Sequence, residues 1–264
     1  LNSYVTLITN PDYLPGAIAL ARSLRMVEAR APLTALVLRD LPDLPELEAA
    51  GAHLLRVDPL PFSEDFTARH SREAQHKNAP FTKGNKPQFH NPLHNFVKLR
   101  LWELEQFKKV VFLDADALVV QNIDKLFGFP ELVAAPNLYE ALTDFGRLNS
   151  GVFVAKPSRA TFDHMLTTLE QPGVFWRRTD QTFLETYFPD WEGLPYTYNT
   201  LQYVWFNLPA LWDWARIRVI HYQYEKPWEA DHPKREQLAP LIDLWQEVYA
   251  HGQLPATLPP PLAG

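Results

Sequence analysis

The first 57 residues alternate extended and helical patterns at short intervals, and this alternation restricts the architecture more than any other feature of the chain. Tyr4 to Thr9 (YVTLIT) reads as a short buried strand, after which Ile18, Leu20, Leu24 and Val27 recur with helical spacing. Asn10 or Asp12 can cap that helix, and Pro15 suits its first turn, where a missing N–H costs nothing. Leu33 to Leu38 is a second strand, Pro45 to Ala50 a short helix, and His53 to Val57 a third strand. A βαβαβ order predicts a parallel sheet with crossover helices.

The pattern returns downstream with a chemical interruption. Lys109 to Val120 (KVVFLDADALVV) is an apolar run that breaks for Asp114 and Asp116 and then resumes. Burying unpaired carboxylates costs several kcal/mol or forces their protonation, so the pair needs a counter-charge, and a divalent metal is the obvious candidate. Spacing alone decides little, because 15 Asp in 264 residues yield about one Asp-x-Asp by chance. Glu46/Glu48 and Glu103/Glu105 share it in polar, helix-like surroundings where solvation is the default. In an extended chain, residues i and i+2 face the same way, so both aspartates can reach one ion. If the strand ends near Leu113, they sit at its carboxyl end, where open α/β sheets bind ligands.

Composition narrows the choices. No cysteine is present, which leaves Asp, Glu and His as metal ligands suited to Mn²⁺ or Mg²⁺. A formal charge of −6 argues against a general nucleic-acid binder. No apolar run of membrane-spanning length occurs, and no charged segment precedes an apolar one at the start, so a cytoplasmic protein without a membrane span is expected. At 46% hydrophobic the chain can bury a large core as one α/β domain.

Between Phe62 and Asn95 periodicity disappears, and residues 69–98 hold ten Lys, Arg or His against one acid, Glu73. This 62–95 insertion is open between a plain surface loop and a basic lid over an anionic ligand. Phe96 to Phe107 predicts an apolar helix leading into the strand before Asp114. Further on, Gly151 to Lys156 and Arg218 to Tyr222 read as strands, and Arg159 to Leu169, Thr179 to Tyr187 and Glu236 to Ala250 as helices. The Pro-rich tail, 255–264, reads as extended or disordered.

Five blocks carry a resemblance: VTLITNPDY (5–13), FVKLRLWELEQFKKVVFLDADALVVQNIDKLF (96–127), LNSGVFVAKPS (148–158), TDQTFLETYF (179–188) and VIHYQYEKPW (219–228). In this order they resemble the retaining glycosyltransferases of family 8, which include glycogenin and plant galactinol synthase. The resemblance implies a single GT-A domain over residues 1–254, with a Rossmann-like sheet of mostly parallel strands and flanking helices. Within it lie a nucleotide-binding half (1–120), a sugar and acceptor half (121–235) and a C-terminal helix (236–254). It also implies a nucleotide-sugar donor, expected to be UDP-linked, a separate glycan or small-molecule acceptor, Mn²⁺ with Mg²⁺ as the alternative, and transfer of a hexose with retention.

By the same resemblance Thr9, Asn10 and Tyr13 would hold the nucleoside, Tyr13 by stacking on the base, with the backbone at Ala115 near the ribose. Lys98 would contact phosphate or sugar. Asp114, Asp116 and His221 would hold the metal and Lys226 the diphosphate. Asn149, Ser150, Gly151, Asp180 and Gln181 would line the donor's sugar pocket, and Asp180 and Lys226 are the catalytic candidates. Each residue also has a plainer reading: Asp180 as a helix cap, Tyr13 as core, Asn149 and Ser150 as a turn, His221 as a hydrogen-bonded strand end. Retention leaves two routes open, attack by Asp180 to give a covalent glycosyl-enzyme or same-face attack by the acceptor with a phosphate oxygen taking its proton.

Glycogenin's self-glucosylated tyrosine has no match here, because its place is taken by Phe206 with Tyr203 nearby; a separate acceptor is implied. Arg177 stands where glycogenin has an acid, and the stretch from His221 to Lys226 is shorter, bringing Tyr224 and Glu225 toward the diphosphate. Seven of the eight tryptophans fall between Trp176 and Trp245; they read as mostly structural, with Trp205, Trp212 or Trp214 as acceptor-cleft candidates. Two other classes compete. A haloacid-dehalogenase-type phosphohydrolase shares the strand and Asp-x-Asp, but its motif opens the domain and needs a later acidic pair. A non-catalytic nucleotide- or glycan-binding protein on the same scaffold would be marked by loss of the metal and diphosphate ligands.

Overall fold

Strands form where apolar residues can be buried on both faces at once. In the computed structural model, which describes residues 1–80 and 83–263, the first three are β1 (Asn2–Ile8), β2 (Leu33–Leu38) and β3 (Ala52–Val57). Phe81 and Thr82 of the insertion and Gly264 of the tail lie outside the described residues. All six residues of β2 are buried: Leu33, Ala35 and Val37 face one apolar layer, and Leu36 and Leu38 the other. The same split divides β4 (Lys109–Leu113), whose Val111 and Leu113 join the first layer and Val110 and Phe112 the second. Two-sided burial explains why these strands read as continuous rather than alternating apolar runs.

Four more strands follow, β5 (Ala117–Val119), β6 (Val133–Pro136), β7 (Leu148–Ala155) and β8 (Glu192–Gly193), and then β9 (Thr200–Leu201) and β10 (Val219–His221). The main sheet runs β3-β2-β1-β4-β7-β6-β8. Its β3-β2-β1-β4 part is parallel, β7 lies antiparallel between β4 and β6, and β8 is parallel to β6. Strand order reverses at β1 and β4, so their carboxyl ends open a crevice of the kind in which α/β sheets bind ligands. A three-stranded sheet, β5-β10-β9, adjoins that crevice. The helix Leu14–Met26 covers one face of the main sheet, the helices Arg159–Leu169 and Asp180–Tyr187 pack on the other, and Arg235–His251 closes a third apolar layer over the small sheet. Among the described residues no helix is long and apolar enough to cross a membrane.

The structure corrects two expectations. Phe96 to Phe107 is not an α-helix: one α-turn, Pro92–Asn95, leads into a 3₁₀-helix, Phe96–Glu103. A spacing of three stacks Phe96, Leu99 and Trp102 in one row within the second layer, and it puts Lys98 on a different row. The insertion is not devoid of regular structure. Ser63 and Ser71 cap the helices Glu64–Arg69 and Arg72–Asn78 by accepting from Phe66 N at 3.1 Å and Ala74 N at 3.2 Å. Phe66 is fully buried there, with rings stacked at 4.1 Å on Phe62 and on His70.

The tryptophans take the structural one of their two readings. Trp205 and Trp212 are buried edge to face at 5.1 Å in the third layer, and Trp214 is spent on the tail, its Nε1 donating to Pro259 O at 2.7 Å. They are core, because the small sheet and the C-terminal helix need large side chains to fill the space between them. That same hydrogen bond docks the Pro-rich tail, whose Leu258 packs against the third layer.

Candidate active site

Three chain segments meet at the crevice, and the backbone ladder dictates which side chains they bring. β4 ends at Leu113, and the next residues form a turn in which Ala117 N donates to Asp114 O at 2.9 Å. Asp114 and Asp116 therefore converge through a tight turn, not through an extended strand as the i, i+2 argument expected. β5 then pairs antiparallel with β10 so that Ala117 faces His221, which sets the imidazole beside Asp116. Tyr222 N donates to Asp116 O at 2.9 Å and locks the register.

One ligand atom from each of Asp114, Asp116 and His221 lies within 4.8 Å of the others. Each carboxylate divides its oxygens. Asp116 turns Oδ1 to His221 Nε2 at 3.0 Å and gives Oδ2 to Lys226 Nζ. Asp114 turns Oδ2 toward the same nitrogen at 3.7 Å and gives Oδ1 to Lys98 Nζ at 3.1 Å. The oxygens not taken by lysine are thus the ones aimed at a common point with the imidazole.

An amide relay sets the imidazole. Asn199 Nδ2 donates to Asn149 Oδ1 at 2.8 Å, so Asn199 Oδ1 is an acceptor and His221 Nδ1, 2.9 Å away, carries the proton. With a cation bound, Nε2 would turn its lone pair to the ion between the carboxylates, the arrangement of a metal-ligating histidine with its outer partner. Asn149 is itself held by Gly151 N, which donates to its Oδ1 at 2.8 Å, and it donates in turn to Asn137 Oδ1 at 2.8 Å and Gln223 Oε1 at 3.2 Å. Gly151 is glycine for space: a Cβ there would stand 2.6 Å from His221 Nδ1. Two oxygen ligands and one neutral nitrogen with fixed orientation fit a divalent cation.

Charge is shared unevenly in this corner. Burial works against ionised Asp116, yet the Lys226 ammonium holds the carboxyl well below its usual range. Burial wins at Asp114, where the neighbouring Asp116 and Asp180 add to it against Lys98, and its carboxyl is pushed up. Burial also opposes the Lys98 charge, but Asp114 and Asp180 more than offset it.

Asp180 is buried and tied three ways, to Lys98 Nζ at 2.8 Å, Ser150 Oγ at 2.6 Å and Thr179 Oγ1 at 2.9 Å. It caps nothing, for the cap position before its helix is Thr179, a β-branched residue at φ 50°. Such a conformation costs about 1–3 kcal/mol and persists where surroundings over-determine it. Here Asn95 Nδ2 and the Asp180 carboxylate both engage the Thr179 hydroxyl.

A cavity of about 220 Å³ joins these groups and is lined by Thr9, Tyr13, Lys98, Asp114, Ala115, Asp116, Asn149, Ser150, Asp180, Gln181, His221 and Lys226 among others. Gln181 Oε1 accepts from Ser150 N at 3.1 Å. Asn10 is not on that lining: its side chain caps the 3₁₀-turn Pro11–Tyr13 by accepting from Asp12 N at 2.9 Å. Gly151 is not on it either and acts through His221. Lys98 spends its three donors on Asp114, Asp180 and Ser150 O, so it bridges carboxylates rather than waiting for phosphate.

The insertion forms the opposite wall, with Gln75, Lys83, Lys86 and His90 on the lining, and Arg177 and Arg178 stand at the rim. The segment is therefore part of the cavity wall. Residue-level reading of the sequence missed Asn137, Asn199, Gln223 and Lys86. A relay amide carries no spacing of its own, and a lysine in a basic run looks solvated.

A family model described as glycosyl transferase family 8 matches residues 4–232. Galactinol synthase 4 of Arabidopsis thaliana is 28% identical over 94% of this chain and 80% of its own length. Among solved structures, the glycosyltransferase GlyE of Streptococcus pneumoniae superposes with a TM-score of 0.63 at 18% identity, over 95% of this chain and 61% of that one. A galactosyltransferase, LgtC, in complex with donor and acceptor sugar analogues, does so with a TM-score of 0.59 at 16% identity, over 98% of both chains. At these identities the superpositions speak for the fold, which is the GT-A arrangement of a mostly parallel sheet with flanking helices.

Proposed function

This chain belongs to glycosyl transferase family 8 and is a nucleotide-sugar-dependent glycosyltransferase with a divalent-metal site, and we propose that it transfers a hexose from a UDP-sugar to a separate acceptor with retention of configuration. The convergence of two carboxylate oxygens and His221 Nε2 at the carboxyl end of β4, with Lys226 alongside, is the observation that carries this reading. Residues 1–120 serve the nucleotide and residues 121–235 the sugar and acceptor. Thr9 and Tyr13 receive the nucleoside, and Asn10 contributes by shaping the turn that presents Tyr13.

Asp114, Asp116 and His221 would hold Mn²⁺ in preference to Mg²⁺, since one ligand is an imidazole. When bound, the ion supplies Lewis-acid stabilisation of the charge that develops on the departing diphosphate. Lys226 adds a buried cation to the same oxygens. Ser150, Asp180 and Gln181 orient the sugar. Asp180 is bonded to Lys98, Ser150 and Thr179, which supports a positioning role over a nucleophilic one. The reaction then follows the same-face route. The acceptor hydroxyl oxygen bonds to the anomeric carbon while the carbon–oxygen bond to phosphate breaks, and the hydroxyl proton passes to a phosphate oxygen.

The test is to incubate the protein with Mn²⁺ and a panel of UDP- and GDP-hexoses, with and without acceptor sugars, and to measure released nucleotide and product configuration. Metal-dependent release that rises with acceptor and gives a retained linkage is expected. Absence of turnover together with metal-independent sugar binding would replace the enzyme by a binding protein. Asp180→Asn should lower transfer while leaving metal-dependent donor affinity unchanged, and a loss of that affinity would sink its assignment.

A further inference from the structure

The insertion does more than cover the cavity, because its strap from Gly84 to His90 is fixed at both ends, at one to the donor site and at the other to the insertion's own helix. Asn85 N donates at 3.0 Å to Oε1 of Glu225, a carboxylate that is 1% exposed and takes the Tyr203 hydroxyl on Oε2 at 2.6 Å, with Lys234 Nζ 3.6 Å away. Gly84 lies so close to the aromatic pair beneath it that a Cβ would stand 2.8 Å from Tyr224 Cγ. At the far end Arg72 donates to Pro87 O at 2.9 Å and to His90 O at 2.5 Å. Between these anchors Lys86 projects into the cavity, its Nζ 4.8 Å from the centre of the Tyr224 ring. Tyr224 is held in the left-handed region at φ 69°, two residues before Lys226.

The other cavity lysines have carboxylate partners: Lys83 pairs with Glu140, Lys98 with Asp114 and Asp180, Lys226 with Asp116. Lys86 pairs with no carboxylate among the described residues, yet it feels Lys226, Asp116, Asp114 and Asp180. Burial and the Lys226 charge bring its ammonium down to about 8. Charge balance shows what it lacks. With the exposed rim arginines Arg177 and Arg178 left aside, three carboxylates, two buried lysines and one divalent ion leave a single surplus positive charge, against the two negative charges of a nucleoside diphosphate-sugar. Lys86 closes the difference, and a further negative charge appears when the sugar leaves.

We propose that Lys86, supplied by the basic insertion and aimed by the Asn85–Glu225 bond and the Tyr224 ring, is a second cation on the donor's diphosphate, across from Lys226. The assignment rests on the glycosyltransferase reading. It makes the insertion a working part of the site and not a passive cover.

Calorimetric titration of the full chain with Mn²⁺ alone, and then with UDP or GDP in the presence of Mn²⁺, tests it on three proteins. Lys86→Met keeps the apolar stem on Tyr224 and removes the charge, and Lys86→Arg keeps the charge. Lys86→Met should weaken diphosphate binding about tenfold or more, as expected for loss of a hydrogen bond between charged groups. Lys86→Arg should stay close to the parent, and Mn²⁺ affinity should be the same in all three. Equal diphosphate affinity in parent and Lys86→Met, an equal loss in Lys86→Met and Lys86→Arg, or weakened Mn²⁺ binding in Lys86→Met would overturn the assignment. A parent protein that binds neither UDP nor GDP would overturn the glycosyltransferase reading itself.

Discussion

The two walls of the cavity are built on different principles. The sheet-end wall is set by backbone: the β4–β7 and β5–β10 ladders fix Asp114, Gly151, Asp116 and His221 relative to one another, and the Asn149–Asn199 relay removes the remaining freedom of the imidazole. The insertion wall is set by side chains reaching backbone across long sequence distances. Gln75 Nε2 donates to Trp176 O at 3.0 Å, Trp176 N donates to His70 Nε2 at 2.9 Å, and Glu225 receives Asn85 N. Metal coordination tolerates little positional error, so it belongs on the ladder. A wall held by individual side-chain bonds can open or change with few consequences for the sheet, and it is the natural place for donor and acceptor selection.

If that division holds, damage to the ladder wall should be catalytic and severe. Asp116→Asn preserves shape but removes a metal-facing charge and the partner of Lys226; turnover should fall by about a hundredfold to a thousandfold, with Mn²⁺ binding lost in calorimetry. A variant that keeps both would show that the ion sits elsewhere. Asn199→Ala leaves every proposed ligand in place and frees the imidazole; Mn²⁺ affinity should drop by about ten- to a hundredfold, the usual range for an outer partner of a ligating histidine. Unchanged affinity would mean that the packing around His221, which is 2% exposed, orients it without the relay.

The same division explains what could be read from the chain before folding. Leu33 to Leu38 was legible because two-sided burial writes a continuous apolar run, and its observed bounds are the expected ones. Asp114 stood out because a carboxylate is conspicuous inside such a run, although a turn and not an extended strand brings it to Asp116. His221 became legible only with its neighbours through Trp228, since one histidine at a strand end is ordinarily structural. The insertion was opaque for a different reason. Its two longest helices hold six and seven residues, fewer than two full turns, so no periodicity accumulates. The signal it did carry was local: Ser63 followed by Glu64 and Asp65, and Ser71 followed by Glu73, each a cap with acid in the first turn. Phe96 to Glu103 misled because three- and four-residue spacings of bulky apolar residues overlap over so short a stretch.

Damage to the insertion wall should be milder and should spare the metal. Glu225→Gln removes the charge that Asn85 N, the Tyr203 hydroxyl and Lys234 share, and it turns an amide toward an N–H that needs an acceptor. The Michaelis constant for donor should rise about threefold to tenfold as the strap loosens, with Mn²⁺ affinity unchanged. Loss of metal binding in this variant would join the two walls into one unit.

The smallest effect separates the walls by pH alone. His70, His90 and His94 all lie in the insertion, and burial is the leading cause that lowers each pKa below the ordinary histidine value. His70 shows why: Nδ1 donates to Phe66 O at 3.1 Å and Nε2 accepts from Trp176 N, so a second ring proton would cost a hydrogen bond inside an aromatic stack with Phe66 and Phe175. Lys86, Lys226 and Arg72 add to the penalty at His90, opposed in part by Asp116. Because the folded values are lowered, the opened segment takes up protons more readily than the closed one. The stability held in the neutral rings is complete above the unfolded value of about 6.5 and drains as pH falls below it. Amide hydrogen exchange measured at pH 7.5 and pH 5.5, corrected for intrinsic rates, should therefore show protection falling across the described residues of 62–95 while β1, β2 and β4 keep theirs. Uniform loss across both regions would mean that the insertion and the sheet open as one cooperative unit, and the contrast between the walls would then be geometric only.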